Sequence, residues 1–439
     1  MINKNSYLNK ISIIILVLAL VTFCIWGAAQ IFAKDIVDNS GYYESKDISI
    51  NFSGDEFYED FTANNPVILS GTPLEVAAGD YIAAAFSDIG LEYYMDNDDY
   101  YQEFEYLDSR DKKTYSSRNI IGYLPSTNGA TEQIIIGAHY DNYTKDLDYD
   151  DYLADEDYSE FSYGANNNAA GIATLYQTAL TLSVMDRNVN IILVAFGAEE
   201  LGLHGSTYLA KSLDSAEVAS TILMINVDSI ISDDNLYLYT GEVKNSASEF
   251  FVELAEDNDI LLKLAPSDKY VTLDTLNSDY WNLFMLSDNK PFMDKGIEVA
   301  SFLGANEIGA FSEPNDIMEL DGIHTAMDRQ DELSLKGRVR VYDTSSMIVA
   351  IVSNSDIVSI MKTSAANKYN YRVWLDSDTI MYVNYTVKAT ILFTLYIIAF
   401  KLGKKTKPEN LPKPIVNHNN TTDKTTKTEE NEIFKGYGI

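Results

Sequence analysis

The chain has 439 residues, 46% of them apolar, with 31 Tyr, four His, one Cys and a formal charge of −34. That length holds one large domain with additions or two to three average ones, and so acidic a balance excludes a nucleic-acid-binding face, which needs clustered Lys and Arg. With Cys24 as the lone thiol there is no intramolecular disulfide and no Cys-rich zinc site, and with few histidines any metal site must lean on carboxylates.

In chain order, residues 1–10 carry Lys4 and Lys10 and read as a short cytoplasmic head. Residues 11–33, ISIIILVLALVTFCIWGAAQIFA, are uncharged over 23 positions, long enough to cross a bilayer as a helix. A signal peptide is the rival reading. The apolar core is longer than an ordinary signal-peptide core, which favours a retained anchor, and the bulky Phe23 disfavours lipoprotein cleavage before Cys24. Residues 34–63 read as a linker.

Residues 64–365 carry periodic patterns. Thr72-Pro73 marks the start of a helix over Leu74–Leu91, with Leu74, Ala77, Ala78, Ile82, Phe86 and Ile89 on one face. Asn119–Leu124 and Gln133–Ala138 read as strands around the turn Ser126–Gly129. A helix follows over Asn168–Leu182, then a strand at Ile191–Phe196, a helix at Gly205–Leu213, a strand at Thr221–Val227 and a strand-like run at Glu298–Leu303. Buried strands alternating with helices predict an α/β fold with a mixed, largely parallel central sheet flanked by helices. Two acid-rich loops, Asp96–Asp108 and Asp146–Glu160, interrupt it. The second resembles the start of a calcium loop but has Asp151 where the tight turn needs glycine, so a solvated charge run is the better reading.

A second apolar stretch, residues 379–402, reads as another transmembrane helix; a hydrophobic C-terminal helix of the globular domain is the alternative. Lys401, Lys404, Lys405 and Lys407 follow it at once, a basic flank typical of the cytoplasmic side. Residues 403–439, rich in Lys, Thr, Asn and Glu, read as a disordered cytoplasmic tail. The pattern predicts a cell-membrane protein anchored by one or two transmembrane helices, both termini cytoplasmic and the acidic domain between them outside.

Three predicted strands run into polar residues that can ligate a metal: His139-Tyr140-Asp141, Glu199-Glu200 and Asp228. In an open α/β sheet, sites form beyond the carboxyl ends of the strands. A lone histidine is by default a satisfied core residue, but Asp141, two residues on, can fix the His139 tautomer for ligation. Two neighbouring acids at the end of a buried strand are costly unless a cation or a proton compensates them. His324-Thr325 supplies a fourth element.

The stretches GAHYD (137–141), GANNNAAG (164–171), FGAEELGLHGS (196–206), MINVDS (224–229), SDNKPF (287–292) and HTAMD (324–328) resemble the M28 family of co-catalytic zinc peptidases, in family order over roughly residues 70–360. The resemblance implies a zinc-exopeptidase fold of the phosphorylase/hydrolase type, two Zn2+ ions and a peptide substrate. It makes His139 and Asp228 ligands of one zinc and Glu200 and His324 ligands of the other. Glu199 becomes the general base and acid, and Asp141 the residue that orients His139. The implied activity is that of an extracellular aminopeptidase.

Three departures from the family pattern stand out. Asn167 aligns with the aspartate that bridges both metals, and a neutral amide binds zinc weakly. Asp288-Asn289 stands where the family reads Asp-His, and Ile323 where an aromatic often precedes the last histidine. The alternative function is therefore a catalytically impaired pseudopeptidase serving as a binding or scaffold ectodomain. A one-metal amide-processing enzyme is a third reading, disfavoured because the glutaminyl cyclase branch leans on the carboxylate missing at Asn167.

Overall fold

Strands β4 (Gln133–His139), β5 (Asn190–Phe196) and β6 (Thr221–Asp228) are buried along their whole length, apart from the half-buried Asn190 at the start of β5. Alternate residues of a strand point to opposite faces. Ile134, Ile136, Ala138, Ile191, Leu193 and Ala195 accordingly join one core cluster, while Ile135, Ile192, Val194 and Phe196 join another. Both faces are apolar, so helices must cover both.

The architecture comes from a computed structural model that describes residues 53–94, 98–144, 160–231, 235–241, 246–265, 287–305, 323–330 and 332–367. These fall within one of the chain's two units, Asp38–Arg372. The sheet also contains β1 (Glu92–Tyr93), β2 (Tyr101–Leu107), β3 (Thr114–Leu124), β7 (Asn235–Tyr239), β8 (Leu262–Leu264) and β9 (Val299–Ala305). Its order is β1-β3-β5-β4-β6-β9-β7-β8, with β2 paired beside β1 on β3. The centre, β5-β4-β6-β9, is parallel. Antiparallel pairs flank it at β3–β5 and β7–β9, and β8 pairs parallel with β7 at the edge, so the sheet is mixed.

One face is covered by α1 (Ser53–Asn64), α2 (Pro73–Ile89), α3 (Ala170–Ser183), α6 (Ser246–Asp257), α8 (Leu335–Ser353) and α9 (Ile357–Asn367). They contribute Phe57, Ile82, Leu175, Phe251, Ile348 and Ile357 to the first cluster. The other face is covered by α4 (His204–Ser212) and α7 (Lys290–Asp294), through Leu209, Ala210 and Phe292. A short helix α5 (Ser215–Ser220), closed by an Asp214–Glu217 capping box, leads into β6.

Two expectations need correction. The predicted linker over 34–63 contains α1, which buries Phe57, Tyr58 and Phe61 against α3 and α8. Each such burial stabilises the fold by about 2 kcal/mol, so the folded region begins no later than Ser53. The acid-rich loop Asp96–Asp108 contains β2, whose Phe104 and Tyr106 point inward between exposed Glu103, Glu105 and Leu107. The helix expected over Leu74–Leu91 is α2, with Thr72 accepting the Leu74 and Glu75 N–H groups and Gly90 ending it at φ 84°. The helix expected from Asn168 begins at Ala170, because Ala165–Ala169 form a wider turn before it.

The two predicted membrane spans, 11–33 and 379–402, lie outside the described residues, as do residues 145–159 of the second acidic loop and the 403–439 tail. Among the described residues no helix is long and apolar enough to cross a membrane.

Candidate functional site

The carboxyl ends of β5, β4 and β6 lie side by side in the sheet, which brings three separate stretches of chain together. His139 is the last residue of β4 and Asp228 the last of β6, while Glu199 and Glu200 follow β5 across the turn Gly197-Ala198. His139 Nε2 stands 3.5 Å from Asp228 Oδ1 and 4.0 Å from Glu199 Oε2. His324 Nε2 stands 2.9 Å from Glu200 Oε1. Asn167 lies between the two groups. Its Oδ1 is 3.1 Å from His139 Nε2 and accepts from Ser229 Oγ at 2.8 Å. Its Nδ2 donates to Glu200 Oε1 and is 3.0 Å from His324 Nε2. Every residue named from the sequence as a ligand or base is thus gathered at one place.

Three consecutive asparagines hold the turn that carries Asn167. Asn166 Oδ1 accepts the Ile231 N–H, and Asn168 accepts the Ser229 N–H while donating to Val227 O. Asp328 binds from the other side, accepting Asn166 N–H at 2.7 Å and Asn167 N–H at 3.1 Å. The turn that carries Asn167 is therefore held from both sides.

The turn after β5 is held by two buried carboxylates. Asp141 accepts the Glu199 N–H at 3.0 Å, the Glu200 N–H at 3.2 Å and the Ser70 hydroxyl at 2.7 Å. Glu75, from the first turn of α2, accepts the Ala198 N–H at 3.2 Å, the Gly71 N–H at 2.6 Å and the Ser117 hydroxyl at 2.5 Å. A Cβ on Gly197 would sit 2.5 Å from Ser117 Oγ and 2.6 Å from Arg118 O, so glycine is required there. Of the non-glycine residues with positive φ among the described residues, Ala198, Leu203, Ser229 and His324 all border the site. Such conformations cost of order 1–3 kcal/mol and persist where the surroundings over-determine them.

Asp141 holds His139 differently from expectation. The imidazole Nδ1 is 3.0 Å from the Asp141 backbone carbonyl, whereas the Asp141 carboxylate is 3.7 Å away and turned to the Glu199–Glu200 backbone. An N–H on Nδ1 facing that carbonyl leaves Nε2 free to ligate.

The electrostatics are those of crowded buried acids. Burial, then repulsion from Glu200, Asp288 and Asp228, pushes Glu199 well above the usual carboxylate range against the pull of His139. Burial alone would lower His139, but Glu199, Asp141 and Asp228 outweigh it and hold the imidazole well above its ordinary value. Asp228 is also disfavoured by burial, yet His139 and the hydroxyls of Ser287 and Ser229 hold it low. Asp288, fully buried, is pushed up to about 7, chiefly by burial.

This donor set fits zinc. His139, Glu199 and Glu200 offer ligand atoms within 4.8 Å of one another. The distances from His139 Nε2 to Asp228 Oδ1, 3.5 Å, and to Asn167 Oδ1, 3.1 Å, match neighbouring ligands around a tetrahedral ion with bonds of about 2 Å. A divalent cation also relieves the repulsion that raises Glu199.

Sequence reasoning missed Glu75, Ser70, Ser229, Ser287 and the backbone-holding part of Asp328. Ser287 Oγ donates to Asp228 Oδ2 at 2.7 Å, a contact across 59 residues that no local pattern signals. Glu75 stands three residues after Thr72 and reads as half of a helix cap, which hides its tertiary role.

The fold and this cluster together define a metallopeptidase-type site, and the chain belongs to peptidase family M28, whose model matches residues 119–349. It is similar to the alkaline phosphatase isozyme conversion protein of Escherichia coli, 29% identical over 243 residues covering 55% of this chain and 68% of that one. It is also similar to aminopeptidase YwaD of Bacillus subtilis, 26% identical over 54% of this chain but only 44% of that one. The solved structure of BSAP, a zinc aminopeptidase from Bacillus subtilis, superimposes with a TM-score of 0.52 over 69% of this chain and 95% of that chain; at 16% identity this shows the shared fold.

Proposed function

We propose that this protein is a zinc-dependent aminopeptidase that removes N-terminal residues from peptides, anchored in the cell membrane with residues 64–365 on the extracytoplasmic side. The observation that carries the reading is the convergence of His139, Glu200 and His324 on Asn167, with Asp228 3.5 Å and Glu199 4.0 Å from the His139 Nε2. The anchoring rests on the uncharged 11–33 run, the apolar 379–402 stretch and the Lys residues flanking them on the cytoplasmic side.

His139, Asp228, Asn167, Glu200 and His324 line the place where metal would be held. Bound zinc supplies Lewis acidity, polarising the scissile carbonyl and acidifying water. The Glu199 backbone N–H donates to Asp141, which fixes the turn that carries its carboxylate. As general base it takes a proton from the attacking water; as general acid it delivers that proton to the leaving amine as the C–N bond breaks. The His139 Nδ1 contact with the Asp141 carbonyl orients the ring, and Glu75 with Asp141 fixes the turn that separates base from ligand.

The assignment of Asn167 to the position of the family's bridging aspartate is part of this proposal, supported by its place between the His139–Asp228 and Glu200–His324 pairs. The test is hydrolysis of amino-acid amides and short peptides by the purified full chain, before and after chelation. Chelator-sensitive release of N-terminal residues is expected. A chain that hydrolyses none of them, with zinc bound, supports the scaffold reading instead.

A further inference from the structure

We infer that the site is built for a single metal ion, held on the His139–Asp228 side, with the Asn167 amide nitrogen filling the Glu200–His324 side. The inference rests on the metallopeptidase reading and concerns how many ions that site takes and where.

An ionised carboxylate only accepts hydrogen bonds. The partner that Asn167 turns toward Glu200 Oε1 must therefore be its NH2 group, which leaves Oδ1 facing His139 Nε2 at 3.1 Å and Ser229 Oγ at 2.8 Å. An aspartate at this position offers one oxygen to each of two cations. An asparagine has one oxygen and two N–H hydrogens, and those hydrogens repel a cation. Turning the amide over does not help: Oδ1 would then face the Glu200 oxygen, and the His139 side would lose its donor. In either orientation one half of the site meets N–H.

The geometry selects which half. On one side His139 Nε2, Asp228 Oδ1 and Asn167 Oδ1 are spaced as ligands of one tetrahedral ion, 3.5 Å and 3.1 Å from the imidazole nitrogen. On the other, Glu200 Oε1 and His324 Nε2 are already 2.9 Å apart and both contact Asn167 Nδ2. The amide N–H thus points at the Glu200 oxygen that a second ion would need. Asp328 holds the Asn166 and Asn167 N–H groups and the Asn168 side chain is bound to Val227 O and Ser229 N, which fixes the turn that carries the amide.

The experiment is metal stoichiometry on the purified full chain, by elemental analysis after dialysis against zinc and by titration of the metal-stripped protein with Co2+ followed in the visible spectrum. One ion per chain is expected, rising to two in Asn167→Asp. His324→Ala is expected to keep the one ion and His139→Ala to lose it. Two ions in the parent overturn the inference and leave the metallopeptidase reading intact; none overturns both. An ion kept in His139→Ala and lost in His324→Ala overturns the placement. The parent stoichiometry decides the count even if Asn167→Asp fails to fold.

Discussion

The Glu75 carboxylate accepts the backbone N–H of Ala198 at 3.2 Å across 123 residues of chain, and so ties the first turn of α2 to the turn that presents Glu199 and Glu200. Its partner clamp, Asp141, takes the next two N–H groups. Three successive backbone donors thus end on two buried acids. Glu75→Ala strips the acceptor from Ala198, Gly71 and Ser117, and an unsatisfied buried donor costs about 1–3 kcal/mol. We expect turnover to fall with KM little changed, and Glu75→Gln, which keeps one acceptor oxygen, to recover part of it. A steady-state comparison of the three proteins checks this; a KM change alone would make Glu75 a substrate contact.

Glu75 also sets a pH dependence of stability. Burial, then repulsion from Asp141, pushes its carboxyl up to about 8, against the hydrogen bonds from Ser117, Gly71 and Ala198. The folded chain therefore keeps a proton that the unfolded chain releases above its ordinary value of 4.5. This contribution is complete below 4.5 and is lost as pH rises toward 8, with a slope of at most about 1.4 kcal/mol per pH unit for one proton. Denaturant unfolding across that range is expected to show a decline that is shallower in Glu75→Gln. Identical slopes would remove Glu75 as its source.

Asp141→Asn presents an NH2 group where the carboxylate now accepts two backbone N–H groups and a hydroxyl. One donor then faces another. We expect a loss of about 1–3 kcal/mol in stability and a lower kcat, measured by unfolding and by kinetics on the same protein.

Asp328→Ala leaves the Asn166 and Asn167 N–H groups without their acceptor and frees the turn that holds the Asn167 amide. Groups that orient ligands are typically worth 10–100-fold in metal affinity, so zinc binding is expected to weaken by roughly that factor. Calorimetric titration of zinc checks it. Unchanged affinity would mean that the Asn166 and Asn168 side chains hold the turn unaided.

What the sequence revealed and what it hid follow from how far each signal reaches along the chain. β4, β5 and β6 are unbroken apolar runs because both of their faces are covered, and the polar residues at their ends stand out by contrast. His139, Glu199, Glu200 and Asp228 were legible for that reason. Helix α1 was not, because Asp55, Glu56, Glu59 and Asp60 surround the buried Phe57, Tyr58 and Phe61 and make the stretch look like a linker. Strand β2 was hidden in the same way, its Phe104 and Tyr106 set among acids. Glu75, Ser70 and Ser287 reach the site across 123, 71 and 59 residues, and only the folded sheet brings them there. The departure at Asn167 was visible as a letter. Its consequence, that the amide turns its nitrogen to Glu200 and its oxygen to His139, needed the geometry.

The account stands most directly on Glu199, the proposed proton carrier beside the ligands. The decisive measurement is the turnover of an amino-acid amide by the parent and by Glu199→Gln, with zinc content determined on the same preparations. The account predicts turnover reduced by roughly 10²–10⁴-fold at unchanged zinc content. Equal turnover at equal zinc, or zinc lost together with activity, would contradict it, the second result by making Glu199 a ligand.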